Sequence, residues 1–173
     1  MNPRPLAGKG TRDGAADGAA ATVDQAFFPS SKWSVMLGMI GMMPIESLDL
    51  LYLPSRDAEA DLAFYRDVLG ARVVFAIEAM GTRVAEVSLS PDGPRLLLAG
   101  HLHGEAPILL HRVSSLEETL DELGALGLEP ERRVELPLGP CVTFRSPGGQ
   151  RIGLYELTRP EVNEHFAGRA DFG

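Results

Sequence analysis

Few side chains in this 173-residue sequence combine a reactive type with a spacing that could do chemistry. His101 and His103, in "HLHG", are two apart, so a strand would present both on one face as a pair of metal ligands. Gly100 and Gly104 flank them, and surface histidines of a linker are the simpler reading. His111, in "ILLHRV", is placed to line a pocket as a base or a ligand-orienting donor, or to sit satisfied at a strand margin. Glu78 and Glu86 fall in neighbouring strand-like segments, where paired carboxylates would suit proton abstraction; each equally fits a solvated outer face. Arg83, Arg95 and Arg151 are strand arginines able to grip an anion through two parallel hydrogen bonds, or to rest in surface ion pairs. Cys141 is the sole cysteine, so neither a disulfide within the sequence nor a Cys-x-x-Cys zinc or redox site can form. No histidine is patterned to activate it, and it reads as a small buried hydrophobe.

The charge pattern narrows the partners. The net charge is −8, and residues 1–42 contribute +1, so the rest carries −9 and has no lysine. Such a body lacks the basic footprint of a nucleic-acid binder. The longest apolar run, "VMLGMIGMMPI" (35–45), is shorter than the ~20 residues of a membrane helix, and it lies too far along the chain for a signal peptide. A protein of the cytoplasm, with neither nucleic acid nor membrane as partner, is expected.

Positioning elements follow from punctuation and periodicity. Residues 1–26 are rich in Gly, Ala, Pro and Asp and bury too little to order themselves. Residues 27–43 hold Phe27, Phe28, Trp33 and four Met, and would seek the body or a second subunit; a start at Met36, Met39, Met42 or Met43 is the alternative. The sequence thus divides into a flexible or partly docked tail (1–42), a domain (43–157) and a C-terminal tail (158–173). Within the domain, "IESLDLLYLPS" reads as a strand. "RDAEADLAFYRDVLG" reads as a helix with acidic residues in its first turn, Leu62, Tyr65 and Leu69 on one face, and Gly70 as its stop. Strands follow at 71–79, 82–90 and 95–101. The order then repeats: strand 106–113, helix 114–127 capped by Ser114 or Ser115, and strands 129–136, 140–146 and 151–157. Two βαβββ modules, about 45–101 and 106–157, are expected, with Gly70 matching Gly127. The tail 158–173 is polar with Phe166 and Phe172 as isolated anchors, expected to cross the surface or a subunit boundary.

With this order, "DAEADLAFYRDVLGARVV" and "FRSPGGQRIGLYE" resemble the vicinal oxygen chelate superfamily, which includes glyoxalase I, extradiol dioxygenases and bleomycin-resistance proteins. The resemblance covers about Ile45 to Leu157. It implies an α+β fold in which both modules form one cupped, eight-stranded sheet. In the family's metalloenzymes a divalent ion is held by side chains from the first and fourth strands of each module. Those positions fall here on Leu50, Leu97, Ile108 and Gly153, and none of the four can coordinate a cation. Asp49 is the one ligand type within a residue of them, and uninterrupted alternation would put it on the opposite face. No metal and no other cofactor are expected.

The first reading is therefore a metal-free protein that binds a small molecule in an apolar cup, as bleomycin-resistance proteins do, commonly as homodimers. The acidic body would suit a cationic ligand, or serve solubility alone. Expected contacts are Leu50, Tyr52, Leu97, Ile108, His111, Arg151, Gly153 and Tyr155; Arg151 and Tyr155 share the face of Gly153, and Tyr52 that of Leu50. A second reading is a glyoxalase- or dioxygenase-type enzyme with displaced ligands such as His101, His103 or His111. In a third, side chains fill the pocket and the domain is a structural or regulatory subunit.

Overall fold

The computed structural model describes residues 45–173; the expectations for residues 1–42 and for the apolar segment 27–43 lie outside them. Strand β1 (Ile45–Pro54) ends at Pro54. Helix α1 (Ala58–Ala63) starts at Asp57, whose carboxylate accepts the Ala60 N–H at 3.1 Å, with Glu59 and Asp61 in the first turn where the helix dipole favours acid. It runs on through a π-type turn at Phe64–Val68 and stops at Gly70, which takes φ +69°. That turn corrects the expected helix face. Leu62 and Tyr65 pack on the sheet, but the i→i+5 turn rotates Leu69 away and leaves it 47% exposed.

Strands β2 (Arg72–Ala79), β3 (Thr82–Ser88) and β4 (Arg95–Ala99) complete the first module. The second comprises β5 (Ile108–Val113), α2 (Leu116–Ala125), β6 (Arg132–Leu136), β7 (Gly139–Arg145) and β8 (Arg151–Glu156). Helix α2 is capped by Ser115, which accepts the Glu118 N–H at 3.3 Å. All eight strands form one mixed sheet in the order β2-β3-β4-β1-β5-β8-β7-β6. Antiparallel β1 and β5 are its centre, and each is flanked by a parallel partner, β4 or β8. The expected pair of βαβββ modules in an eight-stranded α+β fold is the architecture observed.

The sheet has two distinct faces. Leu62 of α1 packs with Ala76, Ala85, Val87, Leu96 and Leu98, and Leu116 and Leu123 of α2 with Val113, Val142, Phe144 and Leu154. Residues between these in each strand point to the other, inner face. There a third cluster joins Leu50, Ile108, Leu110, Leu138, Cys141 and Tyr155.

The C-terminal segment crosses this body. After helix α3 (Glu161–Phe166), Gly168 donates its N–H to Val74 O (2.8 Å), Ala76 to Arg169 O (2.7 Å) and Asp171 to Ala76 O (2.7 Å). The outer edge of β2 is thereby paired. The two expected anchors hold it: the Phe166 ring lies 5.6 Å from that of Phe75, and Phe172 packs against the Leu62 cluster. His165 is exposed. Among the described residues no helix is long and apolar enough to cross a membrane.

Candidate functional site

The inner face has an apolar part and a polar part. In the apolar part, Leu50, Ile108 and Gly153 are buried, with Leu50 at 2% and Ile108 at 6% exposure. The register sets Leu50 opposite Leu110, and Leu110 beside Gly153. A Cβ added to Gly153 would collide with Leu110 Cδ2 and would meet Ile108 Cγ2 at 3.4 Å and Cys141 Sγ at 3.5 Å. Leu110 therefore occupies the space that a side chain at 153 would need. Leu97, opposite Tyr52 and Glu86, is half-buried on the same face. The residues at the four metal positions of the resembled enzymes do not fit an ion. They offer no donor atoms, and the packing of Leu110 leaves no room for a longer side chain at 153. Among the described residues no three His, Cys, Asp or Glu side chains cluster as a metal site.

The polar part lies at the β1 N-terminal end. A cavity of about 350 Å³ is lined there by Ser47, Asp49, Arg72, Ser88, Arg95 and Arg112, with Asp92 from the β3–β4 turn. Asp49 belongs to it because β1 carries a bulge. Leu48 pairs with His111 but Leu50 with Leu110, so Asp49 is one residue extra. The bulge resets alternation and turns the carboxylate inward, which corrects the expectation that Asp49 faces away. Asp49 accepts hydrogen bonds from the Ser47 hydroxyl and the Tyr155 phenol, each at 2.5 Å, and Arg112 Nε lies 3.7 Å away. Burial alone would raise this carboxyl; the two hydroxyls with Arg112 and Arg95 outweigh it and hold Asp49 below the ordinary carboxylate range. The Tyr155 phenol is driven upward by burial and by donating to that anion.

Glu86 is 3% exposed and accepts from Arg95 Nη1 at 2.6 Å. Burial pushes its carboxyl up and outweighs the opposing pull of Arg95 and Arg72. Arg112 Nε approaches Glu46 Oε2 at 2.9 Å without an aligned hydrogen bond. Arg72 is exposed and makes no ion pair or side-chain hydrogen bond among the described residues.

The other sequence candidates separate. His111 alternates with Ile108 and Leu110 and lies on the helix-covered face with Val113, which removes it from the inner-face set. Glu78 and Glu86 lie on opposite faces because the β2–β3 register pairs Glu78 with Arg83 and Glu86 with Phe75. Glu78 is an exposed partner of Arg83, and Arg83 also grips Glu59; the two glutamates form no acid–base pair. Tyr52 is on the inner face, toward the end away from the cavity, where its hydroxyl meets His101 Nε2 at 2.5 Å. His101 and His103 are exposed, as linker histidines should be, and His101 Nδ1 lies 3.3 Å from Thr82 Oγ1. Arg151 spends its Nη1 on the carbonyls of His103 and Ala106, both at 3.2 Å, fixing the loop between the modules. Cys141 is buried, its thiol pushed up to about 12 by that burial. None of the eight expected contact residues lines the described cavity directly; Tyr155 reaches it through Asp49. Sequence reading did not single out Ser47, Arg72, Ser88 or Arg112, and it set Asp49 on the wrong face. The signal for Arg72 and Ser88 was their place on the face of Glu86, visible only once the β2–β3 register is known.

Solved structures share this fold. Methylmalonyl-CoA epimerase from Mycobacterium tuberculosis aligns over 73% of this chain and 97% of its own, at 20% identity and a TM-score of 0.57. A variant of the Streptomyces coelicolor methylmalonyl-CoA epimerase in complex with 2-nitronate-propionyl-CoA covers 66% and 99%, at 16% identity and 0.50. A halotolerant catechol dioxygenase covers 68% and 43%, at 15% identity and 0.51. At such identities the likeness is one of fold. No curated protein matches the chain by sequence. The family model of the Glyoxalase/Bleomycin resistance protein/Dioxygenase superfamily matches residues 47–154, from the bulged end of β1 to the middle of β8. With that match over most of the sequence, and with its two modules joined in one eight-stranded sheet, the chain belongs to the Glyoxalase/Bleomycin resistance protein/Dioxygenase superfamily.

Proposed function

We propose that this chain is a metal-free small-molecule binding protein of the superfamily, with its ligand on the inner face of the sheet. The observation that carries the reading is the packing at Gly153, where Leu110 takes the place of a metal-binding side chain. Ligand types are absent at all four expected positions, so a single reversion could not restore a site. The packing also revises the expected apolar cup. Leu50, Ile108, Leu110 and Tyr155 are in mutual contact, so the ligand belongs in the polar cavity beside them, which is of small-molecule size. Displaced-ligand catalysis has no comparable support: His101 is engaged by Tyr52, and His111 is on the other face. Homodimerisation in a reducing cytoplasm completes the reading, in line with the bleomycin-resistance resemblance and the lone, buried Cys141.

The test combines metal analysis with ligand screening. Elemental mass spectrometry on protein prepared without chelator or histidine tag should give a metal ratio near zero, with a melting temperature indifferent to chelator. Screening by amide NMR should find compounds that shift inner-face residues, and light scattering should give the dimer mass. One metal per chain would overturn the reading.

A further inference from the structure

We infer that the cavity between β1, β2 and β4 is an anion site, taking the carboxylate or phosphate group of a small ligand on Arg72 and Arg95; this rests on the reading that the inner face binds a small molecule. Of the lining acceptors, the Asp49 carboxylate is already served by the Ser47 and Tyr155 hydroxyls. The Glu86 carboxylate behind the lining is served by Arg95. The Ser88 hydroxyl donates its proton to Ser90 O at 2.8 Å, so it offers the cavity an acceptor oxygen only. Donors are in surplus. A guanidinium carries five N–H groups, and Arg95 uses one of them on Glu86, while Arg72 uses none among the described residues. Both sit on the inner face, Arg72 through its pairing with Ser88 and Arg95 through its pairing with Leu50.

The opposing charges are identifiable. Glu46 and Asp49 lie nearest Arg112, so that cation is largely answered within the protein. Asp49 also acts on Arg95, Glu86 on Arg72, and Asp92 is exposed in the β3–β4 turn, so Asp49 and Asp92 are the lining acids that an incoming anion must pass. The net −9 of the chain beyond residue 42 would disfavour a weakly held anion, so the site needs directed donors as well as charge. Two guanidinium groups, one already fixed by a buried carboxylate, provide them. The volume of about 350 Å³ accommodates a small acid or a phosphorylated metabolite. This replaces the cationic ligand that bulk charge suggested.

The experiment is calorimetric titration of the whole chain at low ionic strength with inorganic phosphate, with succinate and with succinamide as the uncharged control. Saturable binding of phosphate, succinate or both is expected, and none of succinamide. Phosphate alone would identify a phosphoester ligand, succinate alone a carboxylic acid. Arg72→Gln should weaken binding at least about tenfold, the loss of one charged hydrogen-bonding partner. Arg72 is exposed and makes no ion pair or side-chain hydrogen bond among the described residues, so the variant should stay folded, which its melting curve checks. Arg95→Gln strands buried Glu86 and is the confirming variant only if it folds. Absence of anion binding, or affinity unchanged in Arg72→Gln, overturns the inference. If neutral compounds then still shift inner-face amides, the metal-free binding reading stands; if nothing binds and a stoichiometric metal is found, that reading falls too.

Discussion

Gly153→Ala gives the sharpest test of how the inner face is packed. A Cβ there would be in ordinary contact with Ile108 Cγ2 at 3.4 Å and Cys141 Sγ at 3.5 Å, so the whole conflict falls on Leu110 Cδ2. Leu110 is 2% exposed and wedged beside Leu50 and Ile108, so its methyl cannot simply swing into solvent. Overpacking of this kind costs about 1–3 kcal/mol. Removing a strand-interior glycine returns about 0.5–1 kcal/mol of backbone entropy. The net expectation is a loss of about 1 kcal/mol, or about 3 °C in melting temperature. Leu110→Ala alone should cost about 2–5 kcal/mol through its cavity. On that background Gly153→Ala should reverse sign and stabilise, because the new methyl enters the vacated space. The assay is equilibrium urea unfolding of the four proteins followed by circular dichroism, with m-values checked for constancy. A coupling energy below about 0.5 kcal/mol would mean that Leu110 does not occupy the site, and the argument against a ligand at 153 would fail with it.

Three further outcomes are expected. Tyr155→Phe removes a donor from the Asp49 carboxylate and should cost about 1.5–3 kcal/mol at pH 7. Asp49 titrates below its ordinary 3.8, so its contribution is present above that value and is lost as pH falls through the folded one. The cost should therefore shrink when unfolding is repeated in acid, and a pH-independent difference would refute the ionic pairing. Cys141, buried and with its thiol at about 12, should resist a disulfide reagent at pH 8 and react stoichiometrically in denaturant; rapid labelling of native protein would contradict its burial. Truncation after Arg159 removes the backbone hydrogen bonds to Val74 and Ala76 with the Phe166 and Phe172 contacts, and should lower the melting temperature and promote association through β2. A truncated chain as stable and monodisperse as the full one would show the docking to be dispensable.

The fold was legible because each module announces its elements locally. Asp57 and Ser115 cap their helices, Gly70 and Gly127 stop them, and alternation marks the strands. The face of Gly153 could be read too, since β8 alternates without interruption. The site was not legible, and for a specific reason. Facing inferred by counting in twos fails wherever a strand gains a residue; β1 is irregular between Ile45 and Ser47 and gains a residue at Asp49, while β2 has an irregularity between Val73 and Phe75. Those irregularities frame the cavity. Whether Glu78 and Glu86 share a face, and whether Arg72 and Arg95 converge, depends on register, which no single segment encodes. The π-type turn that exposes Leu69 and the docking of residues 168–171 are likewise settled by tertiary contacts.

The pairing of β2 with the C-terminal segment has a temporal consequence. Glu78 and the Asp171 carboxylate that accepts its N–H are separated by 93 residues. At about 5–20 residues per second of translation, the outer edge of β2 waits about 5–20 s for its cover after leaving the ribosome. During that interval the backbone groups of Val74 and Ala76 lack the partners that residues 168–171 supply. The two modules, alike in topology, are thus unequal in biogenesis: the earlier one is finished last, by residues that lie beyond the repeat.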